Sequence, residues 1–227
     1  MKQKLFIALS VLLMCSCQQR LIVIDGNFDD WAAVPADRLA QASADENARY
    51  KDLYDVKFLA DGNVLYFYLE FNNEKAMYDV EGVDSICNKV DWFDIFMNVD
   101  GNDETGFNSW TFNNSGADIL VEGKWAYNFA YARLLTFPAD ANQNDWAWED
   151  TGLEGCASCC DAVLLPNGHK AIEGKVYMAK FPMPIQSLKV GVYGSTIEWE
   201  ERGILPQVTI HEDGTDSMSD LLVVPMQ

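Results

Sequence analysis

Histidine is scarce in this sequence: the 227 residues contain only His169 and His211. Neither lies beside a serine or cysteine in a nucleophile-elbow setting, and the chain has no glycine-rich phosphate loop and no zinc-type histidine pair. Carboxylates are abundant, for example around Trp199, but an acidic chain supplies glycosidase-like pairs by chance. The missing signatures predict that the protein is not an enzyme.

Positive charge is also scarce. The chain has 16 lysines and arginines against 35 aspartates and glutamates, which gives a formal net charge of −19. Because nucleic-acid affinity depends on Lys and Arg displacing counterions from phosphates, we expect no nucleic-acid partner. The charge suits a domain that meets neutral polymers or cations, and it equally suits a merely solvated surface.

Long apolar runs are absent except at the N-terminus. Lys2 and Lys4 precede the apolar residues 5–14, and a small residue precedes Cys17, which is the layout of a secretory signal. The run is too short for a permanent membrane span. The sequence therefore predicts a lipoprotein signal peptide over residues 1–16 and lipidation at Cys17.

Lipidation would place the protein in the cell envelope. Multiple acyl chains give stable membrane attachment, so we expect a lipid anchor in the outer membrane. Cys15 is the alternative lipidation site, but Met14 is a poor match to the small residue that signal processing requires. Residues 18–24 lack an acidic pair resembling the surface-export signal of Bacteroidetes lipoproteins, which leaves open whether the domain faces the cell surface or the periplasm.

Four further cysteines follow the lipidation site: Cys87, Cys156, Cys159 and Cys160. In an exported protein the ordinary expectation is disulfide pairing, and four cysteines allow three connectivities. The Cys156-x-x-Cys159 spacing also occurs in zinc and redox sites, but the flanking residues give no thioredoxin-like strand-to-helix context.

Alternating apolar residues predict a protein made of β-strands. Residues 54–60 and 64–71, separated by an Asp-Gly-Asn turn, predict a hairpin. Residues 91–99 alternate similarly, with Phe93, Ile95, Met97 and Val99 facing inward and Asp94 and Asn98 outward. Further strands are predicted at 109–112, 117–122, 125–133, 144–149, 162–165, 174–181, 189–198 and 221–224, short helical turns within 36–50 and 73–78, a hairpin turn at Asn167-Gly168, and an acidic loop at 213–220.

Short strands divided by Gly, Asn, Asp and Pro clusters are typical of a sandwich or barrel. We expect residues 17–227 to form a single all-β domain, an antiparallel β-sandwich that is jelly-roll-like, of immunoglobulin size or larger, with minor short helices. No repeat or linker indicates a second domain.

Four stretches, in order, resemble known exported sandwiches. They are residues 22–31 with Val34-Pro35; residues 92–100; Thr105-Gly106-Phe107 with Ala117-Asp118; and Glu198-Trp199 with Gly203, Leu205 and Pro206. Together they resemble family 9 carbohydrate-binding modules and the related DOMON-like domains, in which an aspartate precedes a buried tryptophan. The resemblance implies a β-sandwich whose relatives bind sugars or haem, and a calcium ion near the second stretch.

The loop at residues 100–106 concentrates hard oxygen ligands. Asp100, Asn102 and Glu104 alternate as the first ligands of a calcium loop do, and Asp118 is the ligand expected from outside the loop. The full EF-hand pattern is missing, because Gly106 lies one place late. A calcium site and an ordinary turn rich in Asp and Asn are therefore the two alternative interpretations of this loop.

Seven tryptophans are many for this length, and sugars are commonly held by flat aromatic faces. Trp146 and Trp148 share one face of a polar segment, where burial is less expected. We expect these two to form a glycan-binding platform, with Trp125 and Trp110 as further ligand-binding residues; packing is the alternative for each. Trp31, Trp92 and Trp199 are expected to fill or rim the core, as is the stripe Trp125, Tyr127, Phe129 and Tyr131.

These observations favour a lipid-anchored, non-catalytic protein that binds a poly- or oligosaccharide, stabilised by calcium, beside glycan-processing partners. One alternative is a structural or adhesion lipoprotein without a small ligand. The other is a DOMON-type haem protein, which would need a methionine and a histidine as axial ligands. Its candidates are Met97, Met178, His169 and His211.

Overall fold

The computed structural model describes residues 21–72 and 90–226. The predictions for the signal peptide, Cys17, Cys87 and residues 73–78 lie outside this part of the chain. The described residues form an antiparallel β-sandwich with only short 3-10 helices, as the alternation predicted.

Six strands form the first sheet and seven form the second, and β13 and β14 form a separate two-stranded ribbon. The first sheet has the order β1-β2-β3-β10-β8, with β9 also paired to β10; the second has the order β12-β11-β4-β5-β6-β7, with β15 also paired to β11. The strands are β1 (Ala40–Ser43), β2 (Leu53–Asp61), β3 (Val64–Phe71), β4 (Trp92–Asn98), β5 (Ile119–Lys124), β6 (Arg133–Thr136), β7 (Glu149–Asp150), β8 (Ala157–Cys159), β9 (Val163–Leu164), β10 (Lys170–Tyr177), β11 (Lys189–Ser195), β12 (Glu201–Leu205), β13 (Val208–Ile210), β14 (Asp216–Met218) and β15 (Leu222–Val223).

The main core lies between the two sheets. Alternate residues of β3 and β4 point into it, as predicted, because side chains in a strand change face at every residue. They are fully buried and pack in one cluster: Leu65, Phe67, Leu69, Phe71, Phe93, Ile95 and Met97. Both sheets therefore have an inner face and an outer face, and each outer face is covered differently.

The outer face of the first sheet is sealed by the N-terminal segment. A 3-10 helix, Phe28–Ala33, lays Trp31 against Tyr68, and Ile22 and Tyr66 complete a second buried cluster. Trp31 is only 3% exposed, in agreement with the prediction of a buried tryptophan after an aspartate.

The outer face of the second sheet is covered by loops. Phe107 and Phe112 pack on Phe96 of β4, and Phe137 packs on Phe107, so that these rings belong to a third cluster. Asp94 and Asn98 lie on the outer face, as predicted, but both are buried there. Alternation reports the face of the sheet and not what covers that face.

Several strand boundaries differ from the prediction. The predicted strand at 125–133 is a 3-10 helix, Trp125–Tyr127, followed by turns, in which Asn128 and Phe129 adopt positive φ. Residues 109–112 form a loop. Of the predicted strand at 144–149, only the last residue is in a strand, the two-residue β7. Residues 36–50 contain β1 between single hydrogen-bonded turns at 36–38 and 46–47. Strand β14 lies within the predicted acidic loop, because it pairs with β13.

In the described part of the chain the Cys156, Cys159 and Cys160 side chains are free thiols, so the expected disulfide pairing does not occur among these three. Burial raises the pKa of the Cys156 thiol, which donates a hydrogen bond to the Ala132 carbonyl oxygen at 3.3 Å. These cysteines behave as small apolar side chains, and two of them belong to the main core. Across residues 21–72 and 90–226, no helix has the length and apolar character needed to span a membrane.

Candidate functional site

A cleft of about 450 Å³ opens on the outer face of the second sheet. We call it the tryptophan cleft, because its exposed rim consists of Trp110, Trp146 and Trp199, between 47% and 56% exposed. Its other lining residues are Asp94, Phe96, Ser109, Thr111, Glu122, Arg133, Tyr193 and Glu201. Flat aromatic walls above a polar base are typical of a site for a small organic ligand.

A row of polar side chains crosses the base of the tryptophan cleft. In the register of four neighbouring strands, Tyr193 of β11 lies beside Asp94 of β4, Asp94 beside Glu122 of β5, and Glu122 beside Arg133 of β6. Directly opposite residues on adjacent strands point to the same face, so the four side chains are neighbours by construction. The sheet itself positions the base of the cleft.

Asp94 and Glu122 are both buried but differ in their partners. Glu122 accepts hydrogen bonds from the Arg133 guanidinium, at 3.0 Å from Nε and from an Nη atom as well. Asp94 is 1% exposed, and its Oδ1 atom has no hydrogen-bond partner among the described residues. Burial, with the neighbouring Glu122 carboxylate, raises the pKa of Asp94 well above its usual value, although Arg133 acts in the opposite direction.

Loops hold the tryptophans of the rim. Trp146 packs edge-on against Phe107 at 5.4 Å between ring centroids and lies 5.6 Å from Trp110. Trp199 stacks on Trp92 at 5.2 Å, and its carbonyl oxygen accepts a hydrogen bond from the Tyr193 hydroxyl at 3.1 Å. Each of these indoles therefore packs against other aromatic rings of the protein and still stays about half-exposed at the cleft.

The four tryptophans predicted to bind ligand fall into two groups. Trp110 and Trp146 line the tryptophan cleft. Trp125 lies in the main core, 4% exposed, and donates a hydrogen bond to the Val90 carbonyl oxygen at 2.9 Å. Trp148 is half-buried against Phe137 in the loop-covered cluster, so it supports Trp146 from behind instead of forming a platform with it.

Sequence reasoning missed most of the base of the cleft. Trp199 was expected to fill or rim the core, yet it is 47% exposed at the cleft. Asp94, Glu122 and Arg133 carried no motif, because their proximity comes from strand register. The one available signal was the position of Asp94 on the outer face of a strand whose inner residues are all apolar.

The predicted calcium ligands lie in a loop closed by its own hydrogen bonds. Asp100 accepts from the Asn102 amide at 2.7 Å and from the Thr105 hydroxyl at 2.9 Å, and Asn102 accepts from the Glu104 amide at 3.1 Å. Asp118 accepts from the Val99 amide at 2.8 Å. Burial and the nearby Asp100 carboxylate raise the pKa of Asp118, while its backbone hydrogen bonds lower it.

These oxygens are of the type that calcium prefers, but most already have donors within the loop. Within the described part of the chain, no group of three or more His, Cys, Asp or Glu side chains is arranged to hold a metal ion. Calcium binding at this loop stays a prediction.

The residues considered for haem ligation are engaged elsewhere. Met97 and Met178 belong to the main core. His169 stacks on Tyr54 at 3.6 Å between ring centroids, and His211 hydrogen-bonds to Ser217 at 2.9 Å on the β13–β14 ribbon.

No protein-family model, curated protein or solved structure matches the chain. The resemblance to family 9 carbohydrate-binding modules and DOMON-like domains therefore rests on the sequence stretches alone.

Proposed function

We propose that this chain is a non-catalytic carbohydrate-binding protein that holds part of a poly- or oligosaccharide in the tryptophan cleft. The observation that carries the proposal is the combination of three half-exposed indoles with two buried carboxylates, those of Asp94 and Glu122, and the half-exposed guanidinium of Arg133. Indole faces pack against the C–H groups of a sugar ring, and charged groups make strong hydrogen bonds with its hydroxyls. A preformed site of this kind needs little ordering on binding.

The proposal extends to the location of the protein. The leader sequence and Cys17 support a lipid anchor in the cell envelope, which would keep captured glycans close to the membrane and to glycan-processing partners. Calcium at the loop of residues 100–106 would act as a structural ion, supported by the sequence pattern of that loop.

The test is a glycan screen of the purified full-length chain, followed by titration of the glycans that it retains. We expect Trp146→Ala to remove binding. Tyr131→Ala is the matched control, because Tyr131 is 81% exposed and does not line the cleft. Absence of any retained glycan, or equal losses in both variants, would contradict the proposal and favour a structural or adhesion role.

A further inference from the structure

We propose that the sugar unit in the tryptophan cleft carries a free, protonated amino group, and that this group binds at Asp94. This inference rests on the proposed function and narrows its substrate class to glycans containing unacetylated amino sugars.

The charges around the cleft favour a cationic ligand. Three carboxylates line it, those of Asp94, Glu122 and Glu201, against the single guanidinium of Arg133. Arg133 is already paired with Glu122. The remaining excess is therefore negative, and in a cleft with low-dielectric walls such an excess concentrates cations and repels uronic acids and sulfated sugars.

Asp94 supplies the second, independent observation. Its side chain lies in the lining of the cleft while its Oδ1 atom lacks a hydrogen-bond partner within residues 21–72 and 90–226. A buried carboxylate oxygen without a donor is costly, so the position is suited to a donor brought by the ligand. An ammonium group carries three donors and a positive charge, and it satisfies both the hydrogen-bonding need and the charge.

The other groups facing Asp94 agree with this assignment. Glu122 and Tyr193 flank it in the strand register, and Glu201 also acts on Tyr193 electrostatically. Burial of the Tyr193 hydroxyl, together with the Glu201 and Asp94 carboxylates, raises the pKa of Tyr193, so it remains a neutral hydrogen-bonding group at ordinary pH. Among the described residues that line the cleft, Arg133 alone carries a positive charge that opposes a cation, and Glu122 lies between Arg133 and Asp94 in the register.

The aromatic rim of the cleft also favours a cationic ligand. The faces of Trp110, Trp146 and Trp199 attract cations through their ring quadrupoles, and tryptophan is the strongest of the aromatic side chains in this respect. An aromatic rim above an unpaired carboxylate therefore recognises an ammonium group better than a hydroxyl or an acetamide at the same ring position.

The experiment compares three β-1,4-linked tetrasaccharides that differ only at carbon 2: glucosamine with an amine, N-acetylglucosamine with an acetamide and glucose with a hydroxyl. Affinity for the full-length chain is measured by calorimetry at about pH 6, where amines of this kind carry a proton. We expect the glucosamine tetramer to bind at least about 10-fold more tightly than either of the others.

Asp94→Asn keeps the shape of the side chain and removes its charge. It should lower the affinity for the glucosamine tetramer by about 10-fold or more while leaving any affinity for the neutral tetramers within about threefold. Glu201→Gln, at a partly exposed position, is the second variant and should cause a smaller loss of the same selectivity. Tyr131→Ala is the control and should change neither.

The outcomes separate the two proposals. Equal or tighter binding of a neutral tetramer, or full selectivity retained in Asp94→Asn and Glu201→Gln, overturns the amino-sugar inference and leaves the proposed function intact. Binding of none of these sugars, together with no retained glycan in the screen, overturns the proposed function itself.

Discussion

Both sheets carry a buried carboxylate on their outer face, but the two carboxylates have opposite surroundings. Glu173 on the first sheet accepts hydrogen bonds from the Asp25 amide at 2.9 Å, the Gly26 amide at 2.8 Å and the Trp31 indole at 3.0 Å. Asp94 on the second sheet lies below half-exposed indoles and keeps one oxygen without a partner among the described residues.

This difference distinguishes a carboxylate and a tryptophan that stabilise the fold, Glu173 and Trp31, from a carboxylate and tryptophans that we propose bind a ligand. At Glu173 the N-terminal segment supplies three hydrogen-bond donors, so both carboxylate oxygens already have partners within the fold. At Asp94 the loops form walls without supplying the donor. A buried polar group without a partner calls for an explanation, and the open cleft beside Asp94 provides one.

The largest effect is expected from Trp31→Ala. The change removes a side chain that is 3% exposed and leaves Glu173 without its indole donor, so the free energy of unfolding should fall by about 3–5 kcal/mol. Denaturant unfolding measures the loss. Glycan affinity of the folded fraction should be unchanged, and a loss of affinity comparable to that of Trp146→Ala would remove the distinction between the two faces.

Trp146→Ala is the counterpart on the open face. Because Trp146 is 49% exposed, its replacement should lower the free energy of unfolding by less than about 1 kcal/mol. The free energy of glycan binding should become less favourable by about 2 kcal/mol or more. Trp148→Ala should lower stability instead, since Trp148 packs among Phe96, Phe107 and Phe137. Calorimetric titration and thermal unfolding of both variants check this division.

Asp94→Asn should stabilise the ligand-free protein at neutral pH by about 1–2 kcal/mol, because it removes a buried carboxylate that must either ionise without compensation or take up a proton. The pKa of Asp94 is raised in the folded state, so the folded chain binds more protons than the unfolded chain. Its contribution to stability is thus complete below the ordinary pKa of aspartate and is lost as pH rises through the folded pKa.

Thermal unfolding across this pH range is the measurement. The gain from Asp94→Asn should grow from mildly acidic to neutral pH. A variant that is less stable than the parent at neutral pH would indicate that Asp94, like Glu173, has a structural partner.

Calcium should have the smallest effect. Asp100 and Asn102 would have to release hydrogen bonds to their own loop, so millimolar calcium should raise the melting temperature of the chelator-treated protein by about 2–4 °C. Asp100→Asn should abolish the shift, while magnesium at the same concentration should not reproduce it. A shift that survives the substitution would place the ion elsewhere.

The sandwich was predictable because alternation in β3 and β4 is strict and the inner face is almost wholly apolar. The short strand β12 escaped notice, since it is defined by pairing with β11 and not by its own pattern. The strand prediction for residues 125–133 was wrong because aromatic residues at alternate positions resemble a strand pattern, while Asn128 and Phe129 turn the chain through positive φ.

Only aromatic residues of the cleft wall were predictable from the sequence. Trp146 was predicted to bind ligand because it lies in a polar segment, and it lines the cleft in the structure. The row from Tyr193 to Arg133 joins residues up to 99 positions apart, Tyr193 and Asp94, through the register of β11, β4, β5 and β6. The order of strands in a sheet depends on packing across the whole domain, so the patterns of the separate strands did not reveal that these four residues are neighbours.

The most direct test is a crystal structure of the chain with a glycan recovered from the screen. The account predicts a sugar ring among Trp110, Trp146 and Trp199, with a donor of the sugar within hydrogen-bonding distance of Asp94 Oδ1. A glycan bound elsewhere, for instance on the exposed pair Tyr127 and Tyr131, with the cleft empty, would contradict it.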